Sequence, residues 1–145
     1  PIATLEGAGF SVCHRASYSA RESLGPILEG CAGDYLFIGC LPNDGDTLTL
    51  GAGALRGDVL MDVGSGREAS HEVNGVAWYY NDDHSWGFAP AGLGLRRVSC
   101  DTSDDGDNGE TRMCWHTSGG AFNEGYRCGR REGQGVSFDR VIMVR

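Results

Sequence analysis

Ser99-Cys-Asp-Thr-Ser-Asp-Asp-Gly-Asp-Asn-Gly-Glu-Thr-Arg-Met-Cys-Trp-His-Thr-Ser-Gly-Gly-Ala-Phe-Asn-Glu-Gly-Tyr-Arg-Cys-Gly129 is the stretch whose reading decides the fold. Cys100, Cys114 and Cys128 follow one another at intervals of fourteen residues. An acidic, Gly-rich turn separates the first two, and a Gly/Asn-rich turn the last two. That is the outline of a three-stranded meander with a cysteine on each strand. The other three cysteines, Cys13, Cys31 and Cys40, lie upstream, and no C-x-x-C pair occurs. Zinc ribbons and thioredoxin-like motifs are therefore poorly supported. Three disulfides in an oxidising compartment account for the set.

Connectivity is not legible from spacing alone. Cys114 and Cys128 are related by the turn near Ala121, and Cys100 and Cys114 by the turn near Asp107. Only one of these pairs can form. The tighter Gly119-Gly120 turn favours Cys114–Cys128, which leaves Cys13–Cys31 and Cys40–Cys100.

Outward from this stretch the chain keeps a β rhythm. Asp34–Cys40 is short, apolar and bounded by glycines. Thr47–Leu50 alternates, and Asp58–Val63 has strand character. Gly51–Ala54 holds only small residues, as at a bulge or a close approach. Val73–Tyr80 and Ser85–Ala89 suggest a hairpin carrying Trp78, Tyr79, Tyr80, Trp86 and Phe88. Val136–Val144 is a final strand. His14–Ser23 is the one expected helix, stopped by Pro26. Turn signals every eight to twelve residues argue for one all-β domain over residues 1–145, with 1–33 an irregular segment packed on it. The expected fold is a single antiparallel β-sandwich or barrel-like domain, stapled by disulfides, with at most one short N-terminal helix.

Composition narrows the function classes. The net charge is −8 and the pI about 4.8, which disfavours nucleic acid and anionic membrane surfaces. No apolar run approaches the roughly eighteen residues of a membrane-spanning helix, so no membrane insertion is expected. All twelve basic residues are Arg. Codon bias explains that as readily as any use of Arg's bidentate geometry. The opening Pro1-Ile-Ala-Thr-Leu-Glu6 lacks a basic and apolar leader and reads as a mature or trimmed secreted chain. No N-x-S/T sequon is present.

Three constellations could carry chemistry. Asp101, Asp104, Asp105 and Asp107 form a candidate calcium loop, because calcium takes several oxygen ligands from a flexible acidic segment. Arg112 stands where an EF-hand loop needs its bidentate Glu, so the site would be of another kind, or the turn a solvated tip. Asp82, Asp83, His84, Trp86, Trp115, His116 and Tyr126 form a candidate sugar-binding face, aromatic rings stacking on C–H faces and polar groups holding hydroxyls. The competing reading makes most of these aromatics core. His84 and His116 with an Asp could also hold zinc. Arg56-Gly-Asp58 resembles the integrin-recognition tripeptide, but its apolar neighbours suggest strand. No G-x-S-x-G, H-E-x-x-H or P-loop occurs, and carboxylates are too plentiful to single out a glycosidase pair.

Met113-Cys-Trp-His-Thr117, Gly125-Tyr-Arg-Cys-Gly129 and Phe138-Asp-Arg-Val-Ile142 together resemble a C-terminal pattern of extracellular lectin-like or adhesive modules. Asp34–Gly39 and Trp86–Ala89 are similar to other parts of such modules. The resemblance implies a secreted binding module and transfers no site residues. The expectation is a non-catalytic, extracellular carbohydrate-binding (lectin-like) module, assisted by calcium, with a glycan or glycoprotein as partner. The alternative is a structural or cell-adhesion subunit that self-associates in a fibre or matrix.

Overall fold

The computed structural model describes residues 1–130 and 137–145. In chain order the elements are α1 (Ile2–Gly7), β1 (Ser11–Ser17), β2 (Glu22–Ser23), α2 (Leu24–Gly30), β3 (Tyr35–Pro42), β4 (Leu50–Leu55) and α3 (Arg56–Val59). They continue with β5 (His71–Val73), β6 (Val76–Tyr80), β7 (Ser85–Pro90), β8 (Arg97–Val98), β9 (Cys100–Asp101), a 3₁₀ turn (Gly109–Thr111), β10 (Met113–Ser118), β11 (Ala121–Cys128) and β12 (Phe138–Val144).

Two antiparallel sheets make the body. One has the order β1-β12-β3-β4 and the other β2-β11-β10-β7-β6-β5, with β8-β9 as a separate ribbon. The inner faces share one core. Leu36, Ile38 and Ile142 come from the first sheet; Trp78, Trp86, Trp115 and Phe122 come from the second. Trp86 meets Trp115 edge-on at 5.3 Å and lies over Phe122 at 6.1 Å. Cys40 and Cys128 join the two layers through a disulfide. The all-β, disulfide-stapled sandwich expected from sequence is the architecture observed.

Local turn chemistry builds the second sheet. Asn74 and Gly75 both have positive φ and close β5 onto β6, with Val73 facing Val76. That is the type I′ hairpin such a pair favours. Gly119 and Gly120 do the same between Ser118 and Ala121. The β6–β7 hairpin pairs Tyr80 with Trp86, as expected.

Several local expectations are corrected. His14–Ser17 belongs to strand β1, paired with β12 through His14↔Ile142 and Ser17↔Asp139. Tertiary pairing outweighs a sparse helical pattern there. Residues 1–33 are not irregular, since they contain α1, β1, β2 and α2. Thr47–Thr49 precedes the strand, which runs Leu50–Leu55 and so includes the small-residue stretch. Arg56–Val59 is a helical turn, and of Asp58–Val63 only Asp62 forms a bridge, to Tyr80.

The disulfides are Cys13–Cys31, Cys40–Cys128 and Cys100–Cys114. Cys13–Cys31 is as expected; Cys114–Cys128 and Cys40–Cys100 are not formed. Register gives the reason. The β10–β11 ladder starts at Ser118↔Ala121 but ends at Met113↔Cys128, because two irregularities lengthen β11 relative to β10. Cys114 then faces Arg127. One residue of offset places neighbouring side chains on opposite sheet faces. Cys128 points into the main core, while Cys114 joins Tyr79, Leu95 and Cys100 on the outer side.

Four arginines are structural. Arg97, Arg112, Arg127 and Arg140 are each at most 1 % exposed, and each ties loop carbonyls to the sheets. Arg140 lies 4.0 Å above the Phe122 ring and donates to Ser17 O and Ala20 O, linking β12 to the β1–β2 connection. Arg97 donates to the carbonyls of Gly64 and Gly66.

Candidate binding groove

The two bulges of β11 also create the most functional-looking surface. Between Trp115↔Gly125 and Thr117↔Phe122 the ladder sets Asn123 and Glu124 opposite the single residue His116. Between Cys114↔Arg127 and Trp115↔Gly125 it leaves Tyr126 extra. Bulges re-aim side chains that regular alternation would separate. Here Tyr126 is brought edge-on to the His116 ring at 5.7 Å. Glu124, Asn123 and His116 border one groove.

That groove has a volume of about 420 Å³ and is lined by Arg21, Asp83, Ser99, His116, Asn123 and Glu124, among others. Arg21 donates to Asn123 Oδ1 at 2.6 Å. Asp83 Oδ1 accepts the Gly119 N–H at 2.7 Å, locking the β6–β7 loop against the β10–β11 turn. Ser99 is part of the lining. Its N–H donates to His84 Nε2 at 3.2 Å, and its Oγ lies 3.0 Å from His116 Nδ1 and 3.3 Å from His84 O, to which the hydroxyl can donate. Its backbone has φ of 66°, the left-handed region that an L residue occupies only under constraint.

Both imidazoles are biased to the neutral form. Burial lowers the pKa of His116, the neighbouring Glu124 carboxylate pulling it back up. For His84 burial again dominates, helped by the Arg97 cation and opposed by Asp83. Neutral rings can accept the hydrogen bonds that Ser99 offers.

The structure therefore divides the expected sugar-binding face. Asp83 and His116 line the groove, His84 bonds to Ser99, Tyr126 packs on His116, and Asp82 O accepts the Gly120 N–H beside them. Trp86 and Trp115 do not join them. Both are fully buried between the sheets, and Trp78 is only 1 % exposed. No tryptophan is placed to stack on a ligand. Ser99 carried no signal in the sequence, because its significance lies in a backbone angle and in partners from two other segments.

The acidic loop is likewise divided. Asp101 is wholly buried, its Oδ2 bonded to Arg112 Nη1 at 2.9 Å. Asp105 pairs with Arg127 at 3.1 Å. Asp104 and Asp107 border a separate cleft of about 590 Å³ with Arg67 and Arg96. Arg112 further donates to Asp107 O and Gly94 O, and Arg127 to Asp101 O and Ser103 O. Guanidinium groups thus fill the role of a central cation. Among the described residues no group of three or more His, Cys, Asp or Glu side chains is arranged to hold a metal. His84 and His116 both bond to Ser99.

Arg56-Gly-Asp58 is not presented as a free tripeptide. Arg56 donates to the carbonyls of Cys31 and Leu28, and Asp58 pairs with His71 at 2.8 Å. Among the described residues no helix is long and apolar enough to cross a membrane. No protein-family model, no curated protein and no solved structure matches the chain.

Proposed function

We propose that this chain is an extracellular carbohydrate-binding module whose ligand lies in the Arg21–His116–Glu124 groove. The groove itself carries the reading. It offers a guanidinium, two carboxylates, a carboxamide, hydroxyls and an imidazole within one concave surface. A polyhydroxylated ligand needs such mixed donors and acceptors, with orientation set by a few well-placed polar groups. Recognition by hydrogen bonding replaces the tryptophan stacking first expected, and Tyr126 is the nearby ring. The three disulfides suit an extracellular setting. Glycan-array binding followed by calorimetry tests it. Arg21→Ala and Glu124→Ala, both at exposed side chains, are expected to weaken binding at least tenfold with the fold intact. Absence of binding to any glycan would sink the reading.

A second reading, self-association in an adhesive or structural assembly, has one observation in its favour. Strand β4 is the outer strand of its sheet, and Leu50-Gly-Ala-Gly-Ala-Leu55 contains no charge and no proline. Edge strands usually carry such protection. Leu55 is 51 % exposed and Tyr35, opposite it, 39 %. Sedimentation over a wide concentration range tests this. A strict monomer throughout counts against it.

A further inference from the structure

We propose that Ser99 and His116 form a nucleophile–base pair, and that the chain hydrolyses small O-acyl esters carried by a sugar in the groove. This rests on the groove being the ligand site and adds a reaction there.

The geometry has the parts of an activated serine. Ser99 Oγ lies 3.0 Å from His116 Nδ1, nearer than the His84 carbonyl, to which its hydroxyl can also donate at 3.3 Å. The left-handed backbone of Ser99 is imposed from both sides. Its N–H is held by His84, and the next residue, Cys100, is tied to Cys114 on β10. Strain of this kind collects at functional sites. The base is held as well, since Tyr126 packs against the ring and the β11 bulge sets Glu124 beside it. Burial favours the neutral imidazole, and the Glu124 charge opposes that shift without cancelling it. The pair opens on the groove, and Arg21 supplies a cation on the same surface.

With the ring proton on Nε2, Nδ1 takes the Ser99 proton as Oγ bonds to the acyl carbon. The carbonyl π electrons move onto oxygen, and Arg21 is the cation available to that oxyanion. When the carbonyl re-forms, the bond to the sugar oxygen breaks, and that oxygen takes the proton from the imidazolium. Water then gives a proton to Nδ1 and bonds to the acyl carbon. The Ser99 ester bond breaks, Ser99 recovers the proton, and a carboxylic acid leaves. Nothing is oxidised or reduced, and water is the one co-reactant.

The test needs no known substrate. The full chain is incubated with a fluorophosphonate probe, and the adduct is located by mass spectrometry. Label is expected on Ser99 and absent in Ser99→Gly, a variant suited to positive φ. In His116→Ala the labelling rate is expected to fall about 100-fold, the usual contribution of a general base. Circular dichroism checks that each variant is folded. A folded wild type unlabelled at Ser99, label on another serine alone, or a rate unchanged in His116→Ala overturns the proposal. Glycan affinity is measured separately on Ser99→Gly. Affinity without wild-type labelling overturns the proposal and leaves the binding reading standing. Labelling without affinity for any glycan overturns the sugar as substrate.

Discussion

Arg112 Nη1 lies 2.9 Å from Asp101 Oδ2, with both side chains wholly shielded from water. The same guanidinium reaches Asp107 O and Gly94 O, so one residue holds together a loop of otherwise repelling carboxylates. Removing one partner of a buried pair leaves the other charge uncompensated, at a cost of about 3–5 kcal/mol. Asp101→Asn and Arg112→Met are each expected to lose stability on that scale in chemical denaturation. Arg112→Lys should not restore it, because an ammonium cannot reproduce the three-directional contacts of the fork.

Chelation should leave this loop unaffected. Arg112 and Arg127 already neutralise Asp101 and Asp105. The midpoint of thermal unfolding is expected to be the same in excess chelator and in millimolar calcium. A rise of several degrees with calcium would place an ion in the loop after all.

Acid should act through the histidines before the carboxylates. His14, His84 and His116 all have lowered pKa values, with burial the largest cause in each. His14 is also pressed against Arg140, whose Nε–H it accepts. For a group whose folded pKa is depressed, stability is complete above the unfolded pKa and lost as pH falls through the folded value. The decline should therefore open near pH 6.5, the ordinary histidine value. A His14→Gln, His84→Gln, His116→Gln variant is expected to flatten the stability profile between roughly pH 6.5 and 5. An unchanged slope there would contradict the assignment.

Non-reducing peptide mapping should return Cys13–Cys31, Cys40–Cys128 and Cys100–Cys114. Replacing Cys40 and Cys128 by Ala removes the one covalent link between the sheets. A loss of about 2–5 kcal/mol is expected on denaturation.

Gly125 is required by close approach. A Cβ at this position would run into the Tyr18 ring, which is itself fully buried. Gly125→Ala is expected to cost about 1–3 kcal/mol, as overpacking does. Pairing it with Tyr18→Leu should recover part of the loss in a double-mutant cycle, while losing the Tyr18 hydroxyl bond to Arg127 O.

The strands of the second sheet were legible because their signals are local. Asn74-Gly75 and Gly119-Gly120 require positive φ, and the aromatic runs on either side of Asn81–His84 pair as a hairpin. Cysteine parity and the absence of membrane-length apolar runs are also local facts. The candidate site was half legible. Asp82, Asp83, His84, His116 and Tyr126 share a region, but Trp86 and Trp115 carry no mark that distinguishes core from surface. Exposure is decided by which sheet face meets the other layer.

What the amino-acid sequence determined by itself was the β class, the hairpin turns, the disulfide-bonded character and the all-arginine basic set. Tertiary structure decided the rest. The Gly119-Gly120 turn and the two extra residues of β11 together set Cys114 opposite Arg127, left Cys128 to cross the core to Cys40, and gathered Asn123, Glu124 and Tyr126 beside His116. Register is a sum over a whole ladder, so it cannot be read from spacing about a turn. The burial of Arg112 beside Asp101 has the same origin. Each partner is tolerable in the interior only because the other is there, and residues 11 apart become neighbours when the loop closes.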